Sequence, residues 1–205
     1  WWRMNPRRLD GAAIWDAIHQ VSGTLNLKMG GRPAIPSLLE VEGATLQMET
    51  RWPSSDDPTA GRRRGVYLLT RRIPASIVHS STDPTSNGCP VKNAVNKNPF
   101  PAWKLNDKGL YRQARLLASR LVRETGKNPS RQIDLAWQLT LARMPSEREK
   151  QKAMRFLERS TSTNSLVTKP PSLPKESARL DPQKADTLTR FCFQLFNQDQ
   201  FLWID

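Results

Sequence analysis

Three stretches between residues 110 and 160 constrain most strongly what this chain can fold into. "LYRQARLLASRLVRETG" sets Leu110, Ala114, Leu117 and Leu121 on one stripe, with Gly126 just past the last apolar position. "PSRQIDLAWQLTLARMP" repeats the pattern through Ile133, Ala136, Trp137 and Leu141, with Ser130 placed to cap its start. "SEREKQKAMRFLERS" opens on Ser146 and Glu149, an S-x-x-E capping box in which each side chain satisfies a free backbone N–H of the other residue. Apolar residues at this spacing mark one buried face of a helix. Links of about four residues between such helices make them antiparallel neighbours.

Two more helices are expected. In "RRLDGAAIWDAIHQVSG" the residues Leu9, Ala13, Ile14, Ile18 and Val21 recur at helical spacing, Asp10 suits the positive end of the helix dipole, and Gly23 supplies a stop. Near the other end Asp181-Pro182 reads as an N-cap with proline at the first helical position, ahead of Leu188, Phe191, Cys192, Leu195 and Phe196. "ATLQMETRW" and "GVYLLTRRI" (65–73) read as strands, joined by a polar, turn-forming insert. The expected fold is therefore mainly α (α+β): a helical core with a small antiparallel strand pair, one domain over 1–205. Residues 74–107 form a long irregular loop, and the Ser-, Thr- and Pro-rich residues 160–180 a flexible linker before the last helix.

No apolar stretch approaches the roughly 20 residues that span a bilayer. The chain opens Trp1-Trp2-Arg3 without an initiator Met, which suits a segment of a longer protein. Net charge is +13, with 32 Lys and Arg against 19 Asp and Glu. That excess favours an anionic partner: nucleic acid, a membrane surface or an acidic protein. Cys89 and Cys192 are the only cysteines, and they either form one long-range disulfide or remain free.

Chemistry-bearing residues are few. "LKMGG" (27–31) follows a helix and places Lys28 before its glycines, the reverse of a phosphate-binding loop, and Pro33 and Pro36 remove donors. It is expected to be a turn in which Gly30 and Gly31 take positive φ. His19 lies mid-helix with no Cys or His at ligand spacing, so no metal site is expected. His79, Asp83 and Cys89 share one loop and are the only candidates for nucleophilic or metal chemistry, set against a loop-pinning role. Arg62, Arg63, Arg64, Arg71 and Arg72 with Tyr67 between them form a candidate binding strand. Such a strand can hold a nucleic-acid backbone and stack a base. It can equally clamp the protein's own carboxylates. The seven tryptophans are scattered, and Trp15 and Trp137 fall in helical patterns that place them in the core.

"WRMNPRRLDGAAIWDAIHQVSGTLNLKMGG", "GRRRGVYLLTRR", "IDLAWQLTLARMPSEREKQKAMRFL" and "RFCFQLFNQDQFLWID" together resemble, in order, a planctomycete-specific C-terminal domain of unknown function. The middle departs from that pattern. Asp83, Cys89 and Asn106 stand as remnants in "VHSSTDPTSNGCPVKNAVNKNPFPAWKLND", while a first acidic position and an Arg pair are lost. The resemblance implies an exported protein, periplasmic or at the cell surface, with a c-type cytochrome module upstream as a partner. An oxidising compartment of that kind favours a Cys89–Cys192 disulfide. No C-x-x-C-H occurs, so this segment attaches no haem, and no cofactor is expected.

The expected function is a non-catalytic interaction or scaffold module with a basic surface for an acidic protein or anionic polysaccharide. A hydrolase-type or metal-dependent enzyme using the 79–89 loop is one alternative. A nucleic-acid-binding protein using the 62–72 strand is the other.

Overall fold

A computed structural model of the chain describes residues 7–9, 11–34, 59–68, 108–159 and 181–204. Five α-helices dominate these residues: α1 (Gly11–Ser22), α2 (Lys108–Thr125), α3 (Pro129–Leu141), α4 (Glu147–Arg159) and α5 (Pro182–Phe196). They gather into two compact units. One holds the described residues of 7–20, 24–34, 59–68 and 202–204, and the other holds 21–23, the helices from Leu110 onward, and the chain to Phe201.

The second unit follows its sequence pattern closely. Leu110, Ala114, Leu117 and Leu121 are all buried, as are Ile133, Ala136 and Trp137 on α3 and Leu188, Phe191, Cys192, Leu195 and Phe196 on α5. Helices α3, α4 and α5 pack on one another. Polar clasps reinforce that apolar core. Tyr111 donates its hydroxyl to Asp186 at 2.9 Å, tying α2 to α5. Lys150 reaches Asp134 at 2.7 Å, tying α4 to α3.

Helix ends explain the sharp turns. Ser146 N–H donates to the Glu149 carboxylate at 2.8 Å, and Glu149 N–H returns to Ser146 Oγ at 3.4 Å, completing the expected capping box. Asp181 accepts from Gln183 N–H, with Pro182 at the first helical position. The cap of α3 is Asn128 and not Ser130: its side chain accepts from Arg131 N–H. Pro129 explains the shift, because a residue lacking an N–H sits best at the first helical position, and that makes the residue before it the cap. Gly23 and Gly126 end α1 and α2 at φ +74° and +67°.

The first unit is small and irregular. Strand β1 (Arg7–Arg8) pairs antiparallel with β2 (Trp203–Ile204) in the register Arg7 to Ile204 and Arg8 to Trp203. Neither belongs to the strand pair expected from sequence. The expected strand over 65–73 instead begins as a 3₁₀ turn, Gly65–Tyr67, followed by a single bridge from Leu68 to Ala34. Its cause is local. A Cβ on Gly65 would lie 2.7 Å from Ala12 Cα, so the chain meets α1 head-on and must turn there. Residues 69–73 and "ATLQMETRW" lie outside the described residues. Trp15, Ala34 and Leu68 form the unit's apolar cluster.

Candidate functional site

The arginine run resolves into three residues with three different fates. Arg63 is buried at 5% exposure. Its Nε and Nη2 donate to Lys28 O at 3.2 and 3.1 Å, Nη1 donates to Arg32 O at 3.1 Å, and Nη2 also donates to Gly30 O. Three carbonyls of the "LKMGGRP" loop thus converge on one guanidinium. The planar fork of arginine suits that arrangement because it offers five N–H donors in fixed directions.

The glycines make the cradle. Gly30 and Gly31 take φ +70° and +83°, as expected, and no atom lies within 4 Å of where their Cβ atoms would stand. Successive positive φ values bend the chain back so that its carbonyls face inward. A phosphate cradle would present N–H groups instead. Here the loop presents oxygens, and the cation they hold is the protein's own.

The far side of Arg63 is closed as well. Its guanidinium carbon lies 4.4 Å from the centroid of the Tyr67 ring, a cation–π contact. Trp15 Nε1 donates to the Arg63 carbonyl at 3.1 Å. Asn26 N–H bonds Arg62 O at 2.9 Å, and Ala34 N–H bonds Tyr67 O at 2.8 Å, so the loop is stitched to the turn at both ends. Charge-assisted hydrogen bonds are each worth about 1.5–3 kcal/mol, and a buried cation without them would be costly. Arg63 is a staple.

Arg64 points the other way. It is half-exposed and pairs with Asp16 at 3.5 Å. Arg62 ends the preceding 3₁₀ turn, Ala60–Arg62, and is partly buried. Tyr67, the expected stacking platform, has its ring covered by Arg63. Arg71, Arg72, His79, Asp83 and Cys89 lie outside the described residues. Of the disulfide candidates, Cys192 is a free thiol, fully buried in the second unit, and burial pushes its pKa up. Among the described residues no group of three or more His, Cys, Asp or Glu could hold a metal ion.

Sequence reasoning passed over two residues that organise this site. Asp16 accepts the Gly65 N–H at 2.6 Å, fixing the start of the 3₁₀ turn. His19 is 2% exposed, stacks on Trp15 at 4.1 Å between centroids, and donates from Nδ1 to Trp15 O at 3.0 Å. Burial lowers its pKa to about 4, against a smaller opposing effect of that hydrogen bond. The ring is therefore a neutral packing element near pH 7. The only available signal was the i, i+4 spacing of Trp15 and His19 on one helix.

What this arrangement offers a partner is surface. The residues 27–33 are all exposed around the buried staple, and they include Leu27, Lys28, Met29 and Arg32.

The model of the PSD1 family, described as a protein of unknown function (DUF1553), matches residues 1–157. No curated protein and no solved structure matches the chain.

Proposed function

The chain belongs to the PSD1 family (DUF1553), and from that premise we propose that it is a non-catalytic interaction module of a larger exported bacterial protein. Its basic surface meets an acidic protein partner or an anionic glycan. The proposal includes a planctomycete source, a periplasmic or cell-surface location, and a c-type cytochrome module as upstream neighbour.

One observation carries the reading. The half-buried acids Asp16, Asp134, Glu149 and Asp186 are each paired with a cation of the same unit: Arg64, Lys150, Arg143 and Arg190. The remaining described surface is left positive, with ten further exposed Lys and Arg side chains against five exposed Asp and Glu. Surface charge of one sign steers and holds ligands of the other. Arg64 and the cations of the helix faces are the proposed contacts.

The experiment is retention of the full chain on polyglutamate, on heparin and on duplex DNA of increasing length, each across a salt series. Retention on polyglutamate or heparin that falls with salt supports the reading. Retention confined to DNA and strengthening with duplex length would replace it with nucleic-acid binding.

A further inference from the structure

The 27–33 loop is more than a spare surface. Leu27 and Met29 are 66% and 73% exposed, among the most exposed large apolar side chains of the described residues. Lys28 stands between them, and Arg32 follows two glycines later. These are part of a run of seven consecutive exposed residues, whose Lys28 and Arg32 carbonyls accept from the Arg63 guanidinium. Exposed apolar side chains kept in a fixed conformation mark an interaction site.

We propose that this loop docks on an anionic lipid bilayer, with Leu27 and Met29 entering the boundary between headgroups and acyl chains and Lys28 and Arg32 resting on lipid phosphates. The two exposed aliphatic side chains favour lipid over the other polyanions. A glycan is held by flat aromatic faces, but of the aromatic rings described near this loop Trp15 is buried and Tyr67 has one face taken by Arg63. A folded protein partner would need a cavity fitted to two aliphatic side chains, whereas a bilayer accepts an aliphatic tip of any shape. The negative surface potential of anionic lipid attracts flanking Lys and Arg, whose long stems stay apolar while their heads remain at the phosphates. The stapled loop carries its conformation before contact, so little ordering entropy is lost on docking. The proposed function does not use this loop, and the inference goes beyond it.

The test sediments the full chain with vesicles of phosphatidylcholine alone and of phosphatidylcholine with about 30% phosphatidylglycerol. The chain is expected on the anionic vesicles and not on the neutral ones. The double variant Leu27→Ser/Met29→Ser keeps the net charge and is expected to bind at least about tenfold more weakly. Lys28→Ala/Arg32→Ala is expected to lose binding to a similar degree, whereas Met144→Ser, at an exposed apolar site of the second unit, binds as the parent does. Leu27→Met/Met29→Leu retains the apolar tip and retains binding, which separates loss of docking from loss of fold. The proposal is overturned if the parent chain stays in the supernatant, or if the serine pair sediments as well as the parent, the mark of charge alone. Retention on polyglutamate without vesicle binding overturns it too, and leaves the proposed function standing.

Discussion

Gly65 and Asp16, forty-nine residues apart, are joined by a 2.6 Å hydrogen bond from the glycine amide to the carboxylate. The bond exists because glycine lets the backbone press on α1. A Cβ at position 65 would stand 2.7 Å from Ala12 Cα and 2.9 Å from Ala12 O. Gly65→Ala should therefore push the turn off the helix and cost about 1–3 kcal/mol. Thermal unfolding checks this, with Gly126→Ala as comparison: there no atom lies within 4 Å of the new Cβ, and the cost is backbone strain at φ +67° alone. If the two variants unfold alike, close packing is not what position 65 demands.

Arg63→Lys keeps the charge and loses the fork. A lysine head cannot reach the carbonyls of Lys28 and Arg32 from both edges and cover Tyr67 at once. The variant should lose about 2–4 kcal/mol, with orphaned carbonyls as the larger part. Hydrogen exchange should quicken at Asn26 and Ala34, whose amides stitch the loop to the turn. Unchanged exchange there would mean that the staple is dispensable.

His19 gives the stability a pH dependence of known sign. Its folded pKa is about 4 against an unfolded 6.5, so between those values the unfolded chain binds the extra proton. The His19 contribution is therefore fully present above pH 6.5, falls as pH drops through that window, and levels off below 4. The loss should be on the order of 3 kcal/mol. Urea unfolding at a series of pH values reads it, and His19→Gln should flatten the slope while lowering the plateau.

The capping box has a smaller, measurable weight. Glu149 accepts from Ser146 and pairs with Arg143 at 2.6 Å, which together lower its pKa to about 2, the Arg143 hydrogen bond contributing most. Ser146→Ala should cost about 1 kcal/mol. Glu149→Gln should cost a similar amount, because the pair is partly exposed and screened. Paired unfolding curves of the two variants decide it.

Cys192 should resist alkylation in the folded chain and react once denatured, because its thiol is fully buried and held protonated. Peptide mapping by mass spectrometry locates the label. Native labelling at Cys192 would show that α5 opens.

The helical half of the structure was legible because a period of 3.6 residues survives in the sequence wherever one face is buried. Leu117, Leu121 and Ile133 are fully buried, and Leu110 nearly so. Ser146, Glu149 and Asp181 were readable as caps because their side chains do the capping. The turn at 65–67 was misread as strand, since "GVYLL" has strand composition and the opposing Ala12 is far away in sequence. The cradle around Arg63 was illegible for a deeper reason. Its ligands are backbone carbonyls, and every residue has one. Arg71, Arg72, His79, Asp83 and Cys89 lie outside the described residues.

Pairing of Arg7–Arg8 with Trp203–Ile204, reinforced by Leu9 N–H on Leu202 O at 2.8 Å, sets a timetable for synthesis. A ribosome delivers the amino end first, yet the ladder that completes its unit arrives with residues 202–204. Domains generally fold from the N-terminus as they emerge. Here β1 waits, its edge unpaired, until every helix of the second unit has been released. An early-made segment of this unit is thus among the last to be secured.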